Sequence, residues 1–202
     1  MVEKSPYELI KSFDESLWRQ GLEALVVERS PESCQAIVGV LSDKIWKKRE
    51  TAAKFLVEWG SDITPILCSH TATRNFDELY WLLHILGHFD HPQAAQEVRK
   101  FLSHTDPEVR GYAVRALAQQ KKVEQSRWLL PLLNDQNWAV RKLAFECLMG
   151  FGQPLLAELR PLLFAEKDEP QHSIVALYVK IGGDAVLQDL NQLYKDSTFA
   201  VR

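Results

Sequence analysis

A short motif recurs along this chain about every 31 residues. Its clearest copies run from Asp106 to Leu117 and from Asp135 to Leu148, and a third, from Asp196 to Arg202, ends the sequence in mid-motif. Each copy places an aspartate a few residues before a Val-Arg pair. Self-similarity at such a period is typical of stacked helical hairpins, in which each repeat buries its apolar face against its neighbours. The sequence therefore predicts an all-α solenoid of about six helical hairpins.

The motif arginine defines a register that extends to the weaker copies. We call the position of the motif arginine a slot, and the slots are residues 19, 49, 76, 110, 141, 172 and 202, with Phe76 and His172 in place of arginine. Apolar residues stand three and seven positions after each of the first six slots. Glycine stands eleven positions after four of these slots, at Gly60, Gly87, Gly152 and Gly183. Glycine tolerates the left-handed backbone just past a helix, so we expect each of the four to end one.

A solenoid buries its core between neighbouring repeats, so we expect residues 1–202 to form a single repeat array rather than two domains. The last expected helix lacks the partner that the final motif copy would begin. We therefore expect a truncated chain, or one that continues beyond residue 202. The expected helices span residues 6–11, 15–28, 31–41, 45–59, 62–70, 74–86, 91–102, 107–119, 124–133, 137–150, 154–164, 170–181 and 184–194.

Charge and composition exclude several classes of protein. The net charge of −3 gives no bulk attraction to nucleic acid or to anionic lipid. The sequence contains no apolar run of the roughly 18 residues that a membrane-spanning helix needs, and its first residues lack the apolar segment of a secretory signal. The sequence has an odd number of cysteines, and they lie far apart, at Cys34, Cys68 and Cys147. This pattern indicates reduced core thiols. We expect a cytoplasmic protein without a membrane partner.

The polar residues of the motif have a structural interpretation. Aspartate or asparagine just before a helix accepts hydrogen bonds from its first N–H groups, and the candidates are Asp43, Asp106, Asp135, Asn137 and Asp168. The slot arginines Arg49, Arg110 and Arg141 can bridge to acidic groups of a neighbouring repeat, because a planar guanidinium pairs well with a carboxylate. The alternative is that these arginines bind a phosphate or an acidic peptide.

The stretch from Leu132 to Leu148 reads Leu-Leu-x-Asp-x-x-x-x-Val-Arg-x-x-Ala-x-x-x-Leu and resembles the HEAT repeat. More specifically, it is similar to the short bacterial form often called the phycobilin-lyase-like HEAT repeat. The resemblance covers nearly the whole chain and is strongest from Phe101 to Gly152. It implies a right-handed superhelix of paired A and B helices, with the B helices lining a concave face that mostly holds other proteins.

Positions one, five and eight after each slot share one face of helix B, away from the core. On that face the candidate partner-binding residues are Glu50, Lys54, Asp77, Trp81, His84, Arg115, Lys142 and Glu146. A mixed-charge face suits a protein or peptide, whereas a nucleic-acid groove would be dominated by lysine and arginine. The face is shallow at Gly111 and Ala118. Trp81 is either a binding anchor or a side chain that packs between repeats.

No catalytic residue or cofactor is expected. The sequence has no glycine-rich phosphate loop, nucleophile elbow or Cys-x-x-Cys pair. His84, His88 and His91 could suggest a zinc site, but Gly87 is expected to end the helix before His88, so we predict no metal.

Three functions remain in competition. The leading hypothesis is a non-catalytic scaffold or adaptor that binds a protein or peptide on its concave B-helix face. The first alternative, which the resemblance implies, is phycobilin-lyase-like handling of a chromophore. The second is a DNA-binding HEAT-like glycosylase. This last function needs a basic groove, and Glu50, Asp77 and Glu146 interrupt it. The expected partner is thus a protein or peptide, with nucleic acid disfavoured.

Overall fold

A computed structural model describes residues 4–164 and 171–195 of the chain. Within those ranges the chain consists of α-helices, short 3-10 segments and connecting turns, without a strand. The all-α class is confirmed. The chain divides into two compact units, residues 1–98 and 99–202, called here the first and second units. The final motif copy at 196–202 and the capping candidate Asp168 lie outside the described residues.

The first unit is a series of helical hairpins. Its A helices α1, α3 and α5 pack against its B helices α2, α4 and α6, and the B helices pack side by side in chain order. Its core includes Trp18, Leu22, Leu56 and Leu82, all nearly fully buried. The helices are α1 (Pro6–Leu9), α2 (Glu15–Glu28), α3 (Pro31–Gly39), α4 (Trp46–Trp59), α5 (Thr64–His70), α6 (Phe76–His88) and α7 (Pro92–Arg99), which ends at the unit boundary.

The second unit repeats the arrangement. Its B helices are α8 (Pro107–Gln119), α10 (Trp138–Met149) and α12 (Gln171–Gly182), and α10 packs against both of the others. The A elements before them are shorter, and α9 (Ser126–Leu129) continues as a 3-10 segment to Asn134. The remaining helices are α11 (Leu156–Leu162) and α13 (Leu187–Lys195). No helix in the described ranges combines the length and apolar character needed to cross a bilayer.

Side-chain caps fix where the B helices begin. Asp106 accepts a hydrogen bond from the N–H of Glu108 at 2.8 Å, and Asn137 accepts one from Ala139 at 2.9 Å. Asp135 stands one step earlier and accepts from the N–H of Asn137 at 2.8 Å. It therefore holds the turn that leads into α10 rather than capping the helix itself. Asp43 does the same before α4.

Glycine marks the end of most hairpin segments, as the register predicts. Gly60, Gly152 and Gly183 have φ of 98°, 64° and 54°. Gly87 is an exception, because α6 continues through it to His88. The helix ends at Phe89, whose extended backbone directs a ring only 4% exposed into the core. Burial of that ring sets the end of α6, so the prediction that Gly87 ends the helix was wrong.

Candidate functional site

The slot arginines tie each B helix to the turn before it. In each case a guanidinium nitrogen donates a hydrogen bond to the backbone carbonyl six residues earlier. The bonds are Arg49 Nη1 to Asp43 O at 2.8 Å, Arg110 Nη1 to His104 O at 2.8 Å and Arg141 Nη1 to Asp135 O at 2.7 Å. Each arginine thereby satisfies a turn carbonyl, which accounts for its recurrence in a stacked repeat.

Two of these arginines also reach the following repeat. Arg110 binds Asp135 through two parallel bonds, Nε to Oδ2 at 2.8 Å and Nη2 to Oδ1 at 2.7 Å. Arg49 lies 3.2 Å from the carboxylate of Asp77. Burial alone would raise the pKa of Asp135, but the bonds from Arg110 and the Asn137 N–H, with the nearby arginine charges, lower it. Because Nε, Nη1 and Nη2 of Arg110 all bind protein oxygens, the structural interpretation of this arginine is favoured over phosphate binding.

A buried lysine completes this structural set and does not stand out in the sequence. The side chain of Lys48 is 2% exposed, and its Nζ lies 2.7 Å from Asp43 Oδ2 and 3.4 Å from the carbonyl of Ser12. Burial would raise the pKa of Asp43, but its bonds with Lys48 and the Ile45 N–H and the charges of Lys48 and Arg49 lower it. Lys48 thus stabilises the start of α4.

The predicted partner-binding residues of the first unit lie on α4 and α6, and several are engaged within the unit. Glu50 and Lys54 form an i,i+4 ion pair at 3.0 Å. Trp81 is only 6% exposed. Its ring packs 6.4 Å from that of Trp46, itself 58% exposed, and 5.0 Å from that of Tyr80. The anchor interpretation of Trp81 is therefore corrected: its indole is covered, and packing accounts for it.

The histidines of α6 form a pair. The rings of His84 and His88 lie 4.8 Å apart, edge to face. Burial, and secondarily the charge of His88, lowers the pKa of His84, and burial lowers that of His88. His91 instead accepts a hydrogen bond from the N–H of Gln93 at its own turn. In the part of the chain that is described, no group of three or more His, Cys, Asp or Glu residues is placed to hold a metal ion.

The second unit carries an open cleft at the place where the register predicts a shallow surface. The cleft has a volume of about 470 Å³ and lies between the first halves of α8 and α10. Gly111 contributes no side chain here, and a Cβ on it would stand 3.4 Å from Leu143 Cδ2. The lining residues are Pro107, Glu108, Gly111, Tyr112 and Arg115 of α8, and Asn137, Ala139, Val140 and Leu143 at the start of α10. We call this the Gly111 cleft.

A second cleft, of about 690 Å³, lies at the other ends of the same two helices. We call it the Lys121 cleft. Its lining comes from the end of α8 and the segment after it (Ala118, Gln119, Lys121, Lys122, Val123 and Glu124), and from the end of α10 and the segment after it (Cys147, Gly150, Phe151 and Pro154). Burial raises the pKa of Cys147, and Glu146 adds to this while Arg115 opposes it. The thiol is thus protonated at neutral pH and is not an activated nucleophile.

The other predicted residues of this unit flank the clefts. Arg115 is exposed and lines the Gly111 cleft. Lys142 and Glu146 are exposed on α10 and lie 3.8 Å apart as an i,i+4 pair. Of the three, Arg115 lines the Gly111 cleft, whereas Lys142 and Glu146 line neither of the two clefts described above. Lys121 is a further residue that the register could have identified, since it stands eleven positions after Arg110.

Comparison with known proteins identifies the repeat. One family model of HEAT repeats matches residues 64–129, and a second, of a single HEAT repeat, matches residues 129–155. Residues 64–155 therefore consist of HEAT repeats, and they include all of α6, α8 and α10. A search of curated proteins gives no match.

Several solved structures are similar to the chain. The complex of CpcE and CpcF of phycocyanin lyase from Nostoc sp. PCC7120 is 16% identical, with 94% of this chain and 82% of that chain covered and a TM-score of 0.48. An engineered protein is 17% identical over 87% of this chain and 94% of its own, with a TM-score of 0.45. Another engineered protein is 19% identical over 96% of this chain and 64% of its own, with a TM-score of 0.42.

Proposed function

We propose that this protein is a non-catalytic scaffold or adaptor of the cytoplasm that binds a protein or peptide partner on its B-helix face. The site is the seam between α8 and α10. The observation that carries the proposal is the Gly111 cleft, where a missing side chain opens about 470 Å³ between two helices that otherwise pack closely.

The lining of the Gly111 cleft resembles a small protein interface. Gly111, Val140 and Leu143 provide an apolar floor, and Glu108 and Arg115 provide a charged rim. An apolar centre inside a polar rim is the usual anatomy of a protein–protein contact. Arginine is also enriched among the residues that dominate binding energy. An apolar side chain of the partner would enter the floor, while Arg115 would bind a carboxylate beside it.

The chemistry of the lining supports binding rather than catalysis. The residues of the Gly111 cleft include no histidine, serine or cysteine that could form a nucleophile–base couple. Cys147 lines the Lys121 cleft, but burial raises its pKa and keeps its thiol protonated. Of the other thiols, Cys34 is buried, with its pKa raised to about 11 by that burial. Such cysteines act as core residues, which supports a reducing compartment.

The experiment tests whether a side chain that fills the Gly111 cleft prevents partner binding. The chain is immobilised and incubated with lysate of the source organism, and the captured proteins are quantified by mass spectrometry for wild type, Gly111→Leu and Arg115→Glu. We expect one stoichiometric partner whose capture falls about tenfold with either substitution. Arg127→Glu is the matched control, because Arg127 is an exposed arginine of the same unit that lies on α9 and does not line the cleft. Circular dichroism checks that each variant remains folded.

Two outcomes would contradict the proposal. One is a wild-type chain that retains no protein. The other is a captured partner whose amount is the same for wild type and Gly111→Leu, since a leucine at this position would occupy the space that the partner is proposed to fill.

A further inference from the structure

Lys121 adopts a backbone conformation that lysine rarely takes. Its φ is 53°, in the left-handed region. It stands eleven positions after Arg110, and at the same place in other repeats the chain has Gly60, Gly152 and Gly183, with φ of 98°, 64° and 54°. Glycine adopts this conformation without steric cost, whereas the Cβ of any other residue crowds the following carbonyl. One repeat thus carries a lysine where these three, and a fourth at Gly87, carry glycine.

The hydrogen bonds of the local backbone account for the left-handed conformation at position 121, but they do not account for the presence of lysine there. The N–H of Lys121 donates to the carbonyl of Ala118 at 3.1 Å, and the N–H of Gln120 donates to that of Leu117 at 3.2 Å. Glycine at position 121 would make the same backbone bond. The side chain of Lys121 is exposed, and its ammonium forms no ion pair with a carboxylate of residues 4–164 or 171–195. A strained residue whose charged group is not held by an internal ion pair is a recognised sign of a functional position.

The surroundings of Lys121 indicate what its side chain could bind. It borders the Lys121 cleft, whose charged lining consists of Lys121, Lys122 and Glu124 and is therefore positive by one charge. Val123 and Phe151 contribute apolar surface to the same cleft. This combination is complementary to a carboxylate that stands beside an apolar side chain.

We propose that Lys121 is a binding residue that presents its ammonium to a carboxylate of an acidic peptide segment, and that this segment runs along the α8–α10 seam from the Gly111 cleft to the Lys121 cleft. The inference rests on the proposed function, because it assigns the chemistry of the partner at the same helix pair. The left-handed backbone at residue 121 is the structural cost of placing a cation there.

The helix geometry fixes the spacing of the peptide motif. Residues 111 and 121 are ten positions apart, along α8 and the turn that follows it. At the rise of an α-helix this separation corresponds to about 15 Å. An extended peptide covers that distance in about five residues. The partner should therefore carry an apolar residue and, about five residues from it, an aspartate or glutamate.

The test begins with selection of binders. A displayed library of random 12-residue peptides is selected against the wild-type chain, and the enriched peptide is synthesised with a fluorophore. Its Kd is then measured by fluorescence anisotropy with wild type, Lys121→Gly, Lys121→Arg and Gly111→Leu, and the Tm of each variant is recorded. Arg29→Gly is the matched control, because Arg29 also has a left-handed backbone, with φ of 50°, but lies in the first unit.

The expected results separate binding from folding. The enriched peptides carry the apolar and acidic pair, and Lys121→Gly weakens their binding about tenfold while its Tm rises by about 2 °C, because backbone strain is relieved. Lys121→Arg retains affinity within about threefold, since it keeps the charge. Arg29→Gly binds as wild type does. Raising the salt concentration weakens wild-type binding more than that of Lys121→Gly.

Failure of this inference is distinguishable from failure of the proposed function. If Gly111→Leu abolishes binding but Lys121→Gly does not change it, the seam binds a protein segment and the role of Lys121 is wrong. If neither substitution changes binding, both proposals fail. Selection of no peptide, or of peptides without an acidic residue, would also overturn the assignment of an acidic segment.

Discussion

At the scale of single residues, the slot arginines share one hydrogen bond to the backbone and differ in their other contacts. Arg110 and Arg141 each donate to the carbonyl six residues earlier. Arg110 has in addition two parallel bonds to the carboxylate of Asp135, whose side chain is 7% exposed. The carboxylate of Asp135 therefore depends on Arg110 for its counter-charge.

Replacement of Arg110 by alanine should lower the free energy of unfolding by about 2–4 kcal/mol, because the mostly buried carboxylate of Asp135 would lose its charged partner. Arg141→Ala should cost only about 0.5–1.5 kcal/mol, since it removes hydrogen bonds to carbonyls that water can replace. Urea denaturation of the two variants measures the difference. Equal losses would show that the buried pair has no special weight.

The Arg110–Asp135 pair should also make stability depend on acid. The pKa of Asp135 is lower in the folded chain than in the unfolded chain. Its contribution is therefore fully present above the unfolded pKa of about 3.9, and is lost as pH falls through the lower folded value. The gap in unfolding free energy between wild type and Arg110→Ala should stay constant from about pH 7 to pH 5 and narrow below about pH 4. Urea titrations across this range test it, and a gap that widens in acid would contradict it.

The roles of residues that act locally could be predicted from the sequence, whereas the roles that depend on burial could not. Asp106 and Asn137 cap helices because their side chains reach backbone groups two residues away. Lys48, in contrast, lies between Lys47 and Arg49 and has nothing in its local sequence to mark it as buried. Trp81 has the helical position of a surface residue, yet its ring is covered. Whether each of these two side chains is buried depends on which neighbouring helix packs against it.

At the scale of helices and turns, most boundaries follow from the sequence because proline, glycine and capping residues act within a few positions. The observed α2 covers the predicted 15–28, and α8 covers the predicted 107–119. The Gly111 cleft also follows from the register, since a glycine stands there at a B-helix position where the other repeats carry a side chain. The Lys121 cleft was not predicted, because seven of its ten lining residues lie outside α8 and α10, in the segments that follow these helices.

Two glycines at helix ends should respond in opposite ways to alanine. Gly60 has φ of 98°, and a Cβ on it would meet no atom within 4 Å, so only backbone strain opposes the change. Gly60→Ala should lower the free energy of unfolding by about 1–2 kcal/mol. Gly39 has helical φ and equally open space, so Gly39→Ala should raise it by about 0.5–1 kcal/mol. Thermal denaturation of both variants gives the signs, and a neutral Gly60→Ala would argue against the left-handed geometry.

At the scale of the whole molecule, a repeat protein derives its stability from contacts between adjacent repeats. The sequence predicts one array over residues 1–202, whereas the contacts group the chain into two compact units. The buried ion pair of each unit joins groups within that unit: Lys48 and Asp43 in the first, Arg110 and Asp135 in the second. Substitutions at these pairs therefore weaken one unit at a time.

Amide hydrogen exchange should reveal this local control. Lys48→Met removes the partner of Asp43, so exchange should accelerate mainly in α2, α4 and α6, because partial opening exposes the unit that has lost stability. Arg110→Ala should accelerate exchange mainly in α8 and α10 for the same reason. Mass spectrometry of peptic fragments locates the change, and Lys47→Met, which replaces a lysine 57% exposed, is the control expected to alter exchange little. If both buried-pair variants accelerated exchange equally throughout the chain, the molecule would open as one cooperative array, and this prediction of local control would be wrong.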